Sequence, residues 1–245
     1  MLMFEDLKGK AIVVTGASSG IGWYTAEELC RVGAKVVAIG RNKEQLVQLQ
    51  TNTGCQIISA NLALESGIND VDSQLGEVDG LVNCAGLALL EPVTEVTGAA
   101  FSQMMDINAK AAALMSKIIS RRMIKQGTGG SIVNVSSQAA LASLADHLGY
   151  SASKAAMDAM TRVLCAELGP HNIRVNSVNP TVTLTPMAKV GWSDPVKAEG
   201  MLSRIPLNRF AEPLEVVHPI MYLLGDHASM ISGITLPIDG GFTAG

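Results

Sequence analysis

The sequence predicts an α/β fold in which one doubly wound parallel sheet carries helices on both faces. Short apolar runs alternate with longer helix-like stretches along the whole chain, and the runs are continuous rather than alternating in polarity. Strands buried on both faces need such runs because neither side of them meets water. No linker or internal repeat interrupts the series, so residues 1–245 are predicted to form a single domain.

The predicted elements follow one another in strand–helix order. The first strand is 11–15, and the first helix runs from about Ile21 to Val32. The other predicted strands are 34–40, 56–60, 80–86, 130–137, 173–180 and 233–241, and the other helices are 42–50, about 99–125 and 150–168. Residues 181–211 are rich in Pro, Met and turn-forming residues, which predicts a lid over a site.

The composition narrows the functional class. Hydrophobic residues make up 48% of the chain and charged residues only 16%, which predicts extensive burial and a subunit interface. The net charge of −4 argues against a nucleic-acid partner or an anionic membrane surface. No apolar run approaches the roughly 18 residues of a membrane span, and no signal-peptide pattern opens the chain. Cytoplasm is therefore the expected location.

Neither the cysteines nor the histidines form a metal or disulfide pattern. The four cysteines are dispersed without a C-x-x-C pair, which indicates small core residues in a reducing compartment. His171, His218 and His227 show no ligand spacing, so no metal site is expected.

A glycine-rich turn, TGASSGIG, joins the first predicted strand to the first helix. Gly16, Gly20 and Gly22 permit a tight turn and a close approach of backbone N–H groups to a pyrophosphate. The spacing differs from the common G-x-G-x-x-G and is weak evidence alone. Its place at the first strand–helix junction favours nucleotide binding over a mere turn.

The end of the second strand bears on the choice of cofactor. An enzyme that uses NAD usually has an acidic residue there to hold the ribose hydroxyls, and here Gly40 is followed by Arg41. A guanidinium suits a bidentate grip on the 2′-phosphate of NADP. An ordinary surface arginine is the alternative, but the missing carboxylate favours NADPH.

The stretch YSASK places Tyr150 and Lys154 one above the other on a predicted helix. An ammonium one turn from a phenol favours the phenolate, so the tyrosine becomes a usable acid for a carbonyl that accepts hydride. The alternative is a buried tyrosine beside a lysine that extends to solvent.

Together these motifs resemble the short-chain dehydrogenase/reductase family over essentially the whole chain, in family order. The motifs are TGASSGIG (15–22), NCAG (83–86), Asn108 in MMDIN, Ser137 in IVNVSS, YSASK (150–154) and NPT (179–181). The resemblance implies a Rossmann-type domain that carries both the cofactor and the substrate sites. It also implies an oxidoreductase that transfers hydride, with Asn108, Ser137, Tyr150 and Lys154 as catalytic residues. Ser137 is preferred to Ser136 because the family serine lies thirteen residues before the tyrosine.

The same resemblance implies a set of residues that contact NADPH. They are Gly16, Ser18, Ser19, Gly20, Ile21, Gly22, Arg41, Asn61, Leu62, Asn83, Ala85, Gly86, Tyr150, Lys154, Pro180, Val182 and Thr185. Three positions depart from the family pattern: Cys84 replaces a second asparagine, Asn61-Leu62 stands where an aspartate is common, and Thr181 follows Pro180 in place of glycine. None of these departures removes a catalytic atom.

Within the family, three stretches are similar to the reductases of L-xylulose and of dicarbonyls: 167–182, 192–212 and 236–242. This implies reduction of small α-dicarbonyls such as diacetyl and of L-xylulose by a homotetramer. Ser137, Gln138, His147 and Trp192 then line the substrate pocket, although Trp192 could equally anchor its own loop. A 3-oxoacyl thioester reductase and a non-catalytic NADPH-binding protein remain the alternatives.

Overall fold

The computed structural model describes residues 4–244, except for the side chains of residues 187, 190, 191, 196 and 197. It contains a seven-stranded parallel sheet in the order β3-β2-β1-β4-β5-β6-β7. The strands are β1 (Ala11–Thr15), β2 (Lys35–Gly40), β3 (Gln56–Ser59), β4 (Gly80–Asn83), β5 (Gly130–Val135), β6 (Ile173–Pro180) and β7 (Thr235–Ile238). The doubly wound α/β prediction is confirmed.

Helices cover both faces of this sheet. They are α1 (Gly20–Arg31), α2 (Lys43–Thr53), α3 (Glu65–Gln74), α4 (Gly98–Met104), α5 (Ala111–Gln126), α6 (Leu148–Leu168), α7 (Pro186–Gly191), α8 (Pro195–Leu202) and α9 (Pro213–Leu224). A π-helical segment, Met105–Lys110, joins α4 to α5, so the long helix predicted at about 99–125 has a different winding near its middle. Helices α3, α7, α8 and α9 lie outside the predicted helical ranges.

Neighbouring residues of the central strands point to opposite faces, and each face has its own core. Val14 packs with Leu29 of α1 and Val217 of α9, whereas Val13 packs with Val71 of α3 and Met115 of α5. All six side chains are fully buried. The continuous apolar strands are therefore explained by burial on both sides of the sheet.

Residues 181–211 fold into the short helices α7 and α8 with turns around them. Ile205 and Phe210 of this segment form a small separate core with Phe242, and Met201 of α8 packs against it. In the described part of the chain, no helix is long and apolar enough to cross a membrane.

Candidate active site

A cavity of about 420 Å³ lies at the carboxyl edge of the sheet. The chain crosses over between β1 and β4, because β1 has β2 on one side and β4 on the other. In open parallel sheets ligands bind at such a crossover. The cavity is lined by residues at or just after strand ends, among them Gly16 after β1, Gly40 of β2, Cys84 after β4 and Ser136 after β5.

The glycine turn after β1 packs closely against the loop that follows β4. Gly16 has a φ of +69°, and a Cβ added to it would lie 2.8 Å from the backbone N and Cα of Ala85. A Cβ on Gly22 would lie 2.5 Å from the carbonyl oxygen of Gly16. Gly22 is not among the residues that line the cavity. Its lack of a side chain instead permits the start of α1 to pack against the backbone of Gly16.

Thr15 fixes the two loops to each other. Its buried Oγ1 accepts hydrogen bonds from the backbone N–H groups of Cys84 (3.0 Å) and Ala85 (3.1 Å), and it donates to Val82 O at 3.3 Å. The sequence analysis had not singled out this threonine. Its position as the last residue of the first strand, just before the glycine turn, is a signal that could have identified it.

The start of α1 forms one end of the cavity. Ser18, Ser19, Gly20 and Ile21 all line it. Ser19 makes no side-chain cap, and no acidic residue stands in the first turn. The backbone N–H groups of this turn and the positive end of the helix dipole therefore suit an anionic group such as a pyrophosphate.

Arg41 lies beside this end of the cavity, where β2 stops. Its side chain is exposed, and Gly40 beside it packs so closely on Ser18 that an added Cβ would lie 2.8 Å from Ser18 Oγ. None of the described cavity-lining residues carries a carboxylate. Leu62 lines the cavity, whereas Asn61 is exposed outside it and accepts a hydrogen bond from Ala63 N at 3.2 Å.

Tyr150 and Lys154 form the opposite wall. Both belong to α6 and both line the cavity. The Lys154 side chain is buried, and its Nζ donates a 2.8 Å hydrogen bond to Val135 O and lies 5.8 Å from the centroid of the Tyr150 ring. A fixed, buried ammonium thus lies within Coulombic reach of the phenol.

Asn108 lies behind this wall rather than in the cavity. It is fully buried in the π-helical segment, and its Nδ2 donates to Leu87 O and to Ser153 Oγ, both at 2.9 Å. A Cβ on Gly86 would lie 3.0 Å from Asn108 Oδ1 and 3.4 Å from Lys154 Nζ. Because Gly86 has no side chain, the Asn108 amide and the Lys154 ammonium can both lie close to it. Asn108 itself belongs to a π-helical turn, and such turns are frequent at functional sites.

The two neighbouring serines have different positions. Ser136 lines the cavity, and its Oγ donates to Lys154 O at 3.1 Å. Ser137 is buried outside the lining, and its Oγ accepts from Ala139 N at 3.1 Å. Asn179 Nδ2 donates to Ser137 O at 3.0 Å and holds this backbone against the end of β6.

Several residues predicted to contact the cofactor lie away from the cavity. Asn83 is buried, and its Nδ2 donates to Asn134 Oδ1 at 2.9 Å and to Ser116 Oγ at 3.0 Å, so it connects β4, β5 and α5. Pro180 and Val182 are absent from the lining, whereas Thr185 is part of it. Two threonines that the sequence analysis had not assigned to the cofactor, Thr181 and Thr183, line the cavity instead.

The residues predicted to bind substrate lie around Tyr150 and the 181–211 segment. The His147 ring lies 6.1 Å from that of Tyr150, edge to face, and its Nδ1 contacts Ala145 O. The Gln138 side chain is buried, with its Nε2 3.9 Å from the sulfur of Met201. Trp192 packs on Phe210 with ring centroids 5.4 Å apart, so it anchors the segment to its small core.

Cys84 is the thiol nearest the reacting groups. Burial raises its pKa to about 11, and the nearby Lys154 offsets only part of that rise. A thiol with a raised pKa is a poor nucleophile, so the half-buried Cys84 contributes shape rather than chemistry. The residues that the structure describes include no group of three or more His, Cys, Asp or Glu that could hold a metal ion.

Comparison with known proteins identifies the family. A model of the family described as "Enoyl-(Acyl carrier protein) reductase" matches residues 16–243. The L-xylulose reductase of Mus musculus is 46% identical over 97% of this chain and 98% of its own, and the D-erythrulose reductase of Gallus gallus is 43% identical over 97% of each. This chain belongs to the short-chain dehydrogenase/reductase family.

Other relatives agree with this assignment. "Carbonyl reductase [NADPH] 2" of Sus scrofa is 39% identical over 99% of this chain and all of its own length. A short-chain type dehydrogenase/reductase from Mycobacterium marinum superposes with a TM-score of 0.90 at 28% identity, covering 100% of this chain and 99% of that one. The protein is thus an oxidoreductase of a family that uses NAD(P).

Proposed function

We propose that this short-chain dehydrogenase/reductase reduces small carbonyl compounds with NADPH, with Tyr150 as the proton donor. The substrates are α-dicarbonyls such as diacetyl and ketoses such as L-xylulose. The observation that carries the proposal is the pairing of Tyr150 with the buried Lys154 ammonium on the wall of a cavity that begins at a glycine turn. The names of the L-xylulose, D-erythrulose and carbonyl reductase relatives support the substrate class.

The residues present fit NADPH. Gly16 and Ala85 are in close contact and line the cavity. The start of α1 suits the pyrophosphate. Arg41, which also lines the cavity, suits a 2′-phosphate. Bound NADPH would supply the hydride. The cavity has room for the reacting part of the cofactor beside Tyr150 and Lys154.

The chain's own groups handle the proton. A carbonyl oxygen that gains negative charge needs a donor as that charge develops, and the phenol of Tyr150 is the donor on the cavity wall. Once the proton has left, Lys154 stabilises the remaining phenolate by charge attraction. Asn108 holds the Leu87 backbone and Ser153 in place behind these two residues.

Ser137 is proposed to hydrogen-bond the substrate carbonyl. Its backbone is held by Asn179, while its hydroxyl accepts only from Ala139 N among the described groups and keeps its own proton to donate. Gln138 follows Ser137 in the chain, and His147 lies three residues before Tyr150. Their amide and imidazole groups are proposed to bind a hydroxylated substrate.

A reductase of 3-oxoacyl thioesters is the second candidate, favoured by the acyl-carrier description of the matching family model. Such an enzyme would need a basic surface to dock an acidic carrier. Of the basic residues at 121–125, Arg122 is already occupied, because its guanidinium donates to the Asp72 carboxylate at 2.6 Å and to Leu75 O at 2.8 Å. The small-carbonyl proposal is therefore preferred.

The test is NADPH consumption with L-xylulose and with diacetyl, with NADH as the cofactor control. We expect turnover of both carbonyls with NADPH and little with NADH. Tyr150→Phe should lose at least about a hundredfold in kcat, the scale of one general acid, yet still bind NADPH in a fluorescence titration. Tyr222→Phe, on the exposed surface of α9, is the matched control and should keep full turnover.

Three results would contradict this proposed function or the role given to Tyr150. Turnover of acyl thioesters alone would favour the second candidate. Full NADPH affinity with no turnover of any carbonyl by the unaltered protein would point to a non-catalytic NADPH-binding protein. A Tyr150→Phe variant that is defective only in cofactor binding would show that the acid has been assigned to the wrong residue.

A further inference from the structure

A second cavity, of about 450 Å³, lies at the opposite, amino edge of the sheet and contains two thiols. Cys30 and Cys55 both line it, together with backbone and side chains from the starts of β1 and β2. Neither cysteine belongs to a disulfide in the structure. The proposed carbonyl reductase chemistry uses neither residue.

The fold itself brings these two cysteines together. Cys30 stands in the last turn of α1, and this turn is tied to the start of β2 by the hydrogen bond from Ala34 N to Leu29 O at 3.0 Å. Cys55 stands one residue before β3, whose Gln56 is in register with Val37 of β2. Because side chains alternate along a strand, Cys55 faces the same side as Val36, and that side is the one covered by α1.

The two thiols are not equivalent. Both line the same cavity, and hydrogen bonding with the Cys30 side chain and the Thr53 hydroxyl lowers the pKa of Cys55. The same bond, burial and the charge of Glu27 raise the pKa of Cys30. The opposite shifts favour a thiolate on Cys55 beside a thiol on Cys30, which is the arrangement of reactive dithiols.

We propose that Cys30 and Cys55 form an oxidant-sensitive dithiol that closes to an intramolecular disulfide in the presence of a hydroperoxide. The Cys55 thiolate attacks the peroxide oxygen, the O–O bond breaks, and the alkoxide or hydroxide that leaves takes up a proton, giving a sulfenic acid on Cys55. Cys30 sulfur then attacks Cys55 sulfur, the S–O bond breaks, and water leaves with the Cys30 proton. Two thiols lose two electrons and the hydroperoxide gains them.

The other two cysteines do not share these properties. The pKa of Cys84 is raised by desolvation at the site cavity, and Cys165 accepts a hydrogen bond from the Ser232 hydroxyl at 3.1 Å. Neither residue lines the cavity that holds Cys30 and Cys55. Oxidation is thus expected to consume two of the four thiols and leave the other two free.

The disulfide would close the segment that contains β2, Arg41 and α2. Cross-linking a loop of this length stabilises the native state chiefly by restricting the unfolded chain. Both sulfurs lie at the amino edge, whereas the site cavity lies at the carboxyl edge. We therefore expect a higher temperature of unfolding with little change in turnover.

The experiment is treatment of the purified full-length protein with hydrogen peroxide, followed by thiol titration, peptide mass mapping and thermal unfolding. We expect the number of titratable thiols to fall from four to two, a peptide pair joined through Cys30 and Cys55, and a midpoint raised by several degrees. Dithiothreitol should reverse all three changes. Cys165→Ser should behave like the parent, apart from one thiol fewer.

Two variants test the order of the steps. Cys30→Ser should accumulate a sulfenic acid on Cys55 that dimedone labels, and Cys55→Ser should show no comparable label on Cys30. The circular dichroism spectrum of each variant checks that it folds. Four free thiols after peroxide treatment, a disulfide between other cysteines, or equal labelling of the two variants would overturn the proposal.

Discussion

A side chain at position 16 would need space that the backbone of Ala85 already occupies. Gly16 combines a left-handed φ of +69° with a predicted Cβ contact of 2.8 Å, so two separate costs oppose any other residue. The backbone cannot yield as a flexible side chain would, because Thr15 Oγ1 holds Ala85 N in place.

We predict that Gly16→Ala weakens NADPH binding by more than about tenfold and lowers the unfolding temperature. Gly9→Ala separates the two costs, since Gly9 has a φ of +79° but nothing within 4 Å of an added Cβ. It should cost only about 1–2 kcal/mol of folding stability from the left-handed backbone and leave NADPH binding unchanged. Isothermal titration and thermal unfolding of the two variants measure the difference. Equal effects on NADPH binding would contradict the steric explanation.

Arg41 is proposed to hold the 2′-phosphate, and its replacement by Ala should remove one charge-assisted contact. Such contacts contribute about 1.5–3 kcal/mol, which is about ten- to a hundredfold in affinity. We expect the KM for NADPH to rise by that factor and the KM for NADH to stay nearly constant. Steady-state kinetics with both cofactors measures this, and Arg31→Ala, an exposed arginine on α1, is the control. An equal rise for both cofactors would refute the assignment.

The sequence identified the residues whose chemistry is tied to a motif, and it was less informative about residues that act through position. Tyr150, Lys154, Arg41 and most of the glycine turn line the cavity. Asn83, by contrast, belongs to a motif but lies in the protein interior. Its amide donates to Ser116 and Asn134, which come from distant parts of the chain, so the motif alone did not reveal this role. Thr181 and Thr183 line the cavity only because β6 ends there, which no spacing rule reveals.

At the scale of elements, α3 and α9 show why local sequence was insufficient. The sequence of α3, ESGINDVDSQ, contains Gly, Asn, Asp and Ser, all of which are poor helix formers. Its stability comes from packing of Ile68 and Val71 into the core. In α9, Pro219 lies inside the helix, where it removes one hydrogen bond, and burial of the flanking apolar residues compensates. Tertiary contacts, not propensity, decide both helices.

The start of α9 gives a prediction about acid stability. Arg209 holds the Glu215 carboxylate through two hydrogen bonds of 2.6 and 2.5 Å, and Glu212 N donates to it at 2.8 Å. The hydrogen bond from Arg209 lowers the pKa of Glu215 to about 2. Since the folded-state pKa lies below the unfolded-state value of about 4.3, this stabilisation is complete above that value and is lost as the pH falls towards 2.

Glu215→Gln should therefore lower stability near neutral pH and flatten its decline between about pH 5 and 2. The pair is partly exposed, so the effect should be modest and should shrink at high salt. Urea unfolding at several pH values measures this, with Glu167→Gln, an exposed acid on α6, as control. A parallel shift of the whole pH profile would show that the carboxylate is not the titrating group.

At the scale of the whole molecule, the sheet is confirmed as the sequence predicted it, with all seven predicted strands present. The order of those strands was beyond the sequence, because continuous apolar runs specify burial but not neighbours. The two edges of the sheet also differ. At one edge β3 has exposed polar residues at both of its ends, whereas at the other edge Met230, five residues before β7, is 98% exposed.

The apolar composition and the outer edge of β7 both favour association of several copies of the chain. In the described structure β7 pairs only with β6, so its outer edge retains free backbone groups. An unpaired edge strand that follows an exposed apolar residue is a surface that a second copy of the chain can cover. We therefore propose a homotetramer in which the β7 edge contributes one of the interfaces.

Sedimentation should show a single species near four times the 25.6 kDa of one chain. Met230 is 98% exposed, so Met230→Asp should leave the folded chain intact and reduce the assembly to half that mass or less at the same concentration. Val47→Asp places the same charge on α2, beside the β3 edge, and should leave the tetramer whole. A monomeric parent protein, or dissociation by Val47→Asp alone, would show that assembly does not use the β7 edge.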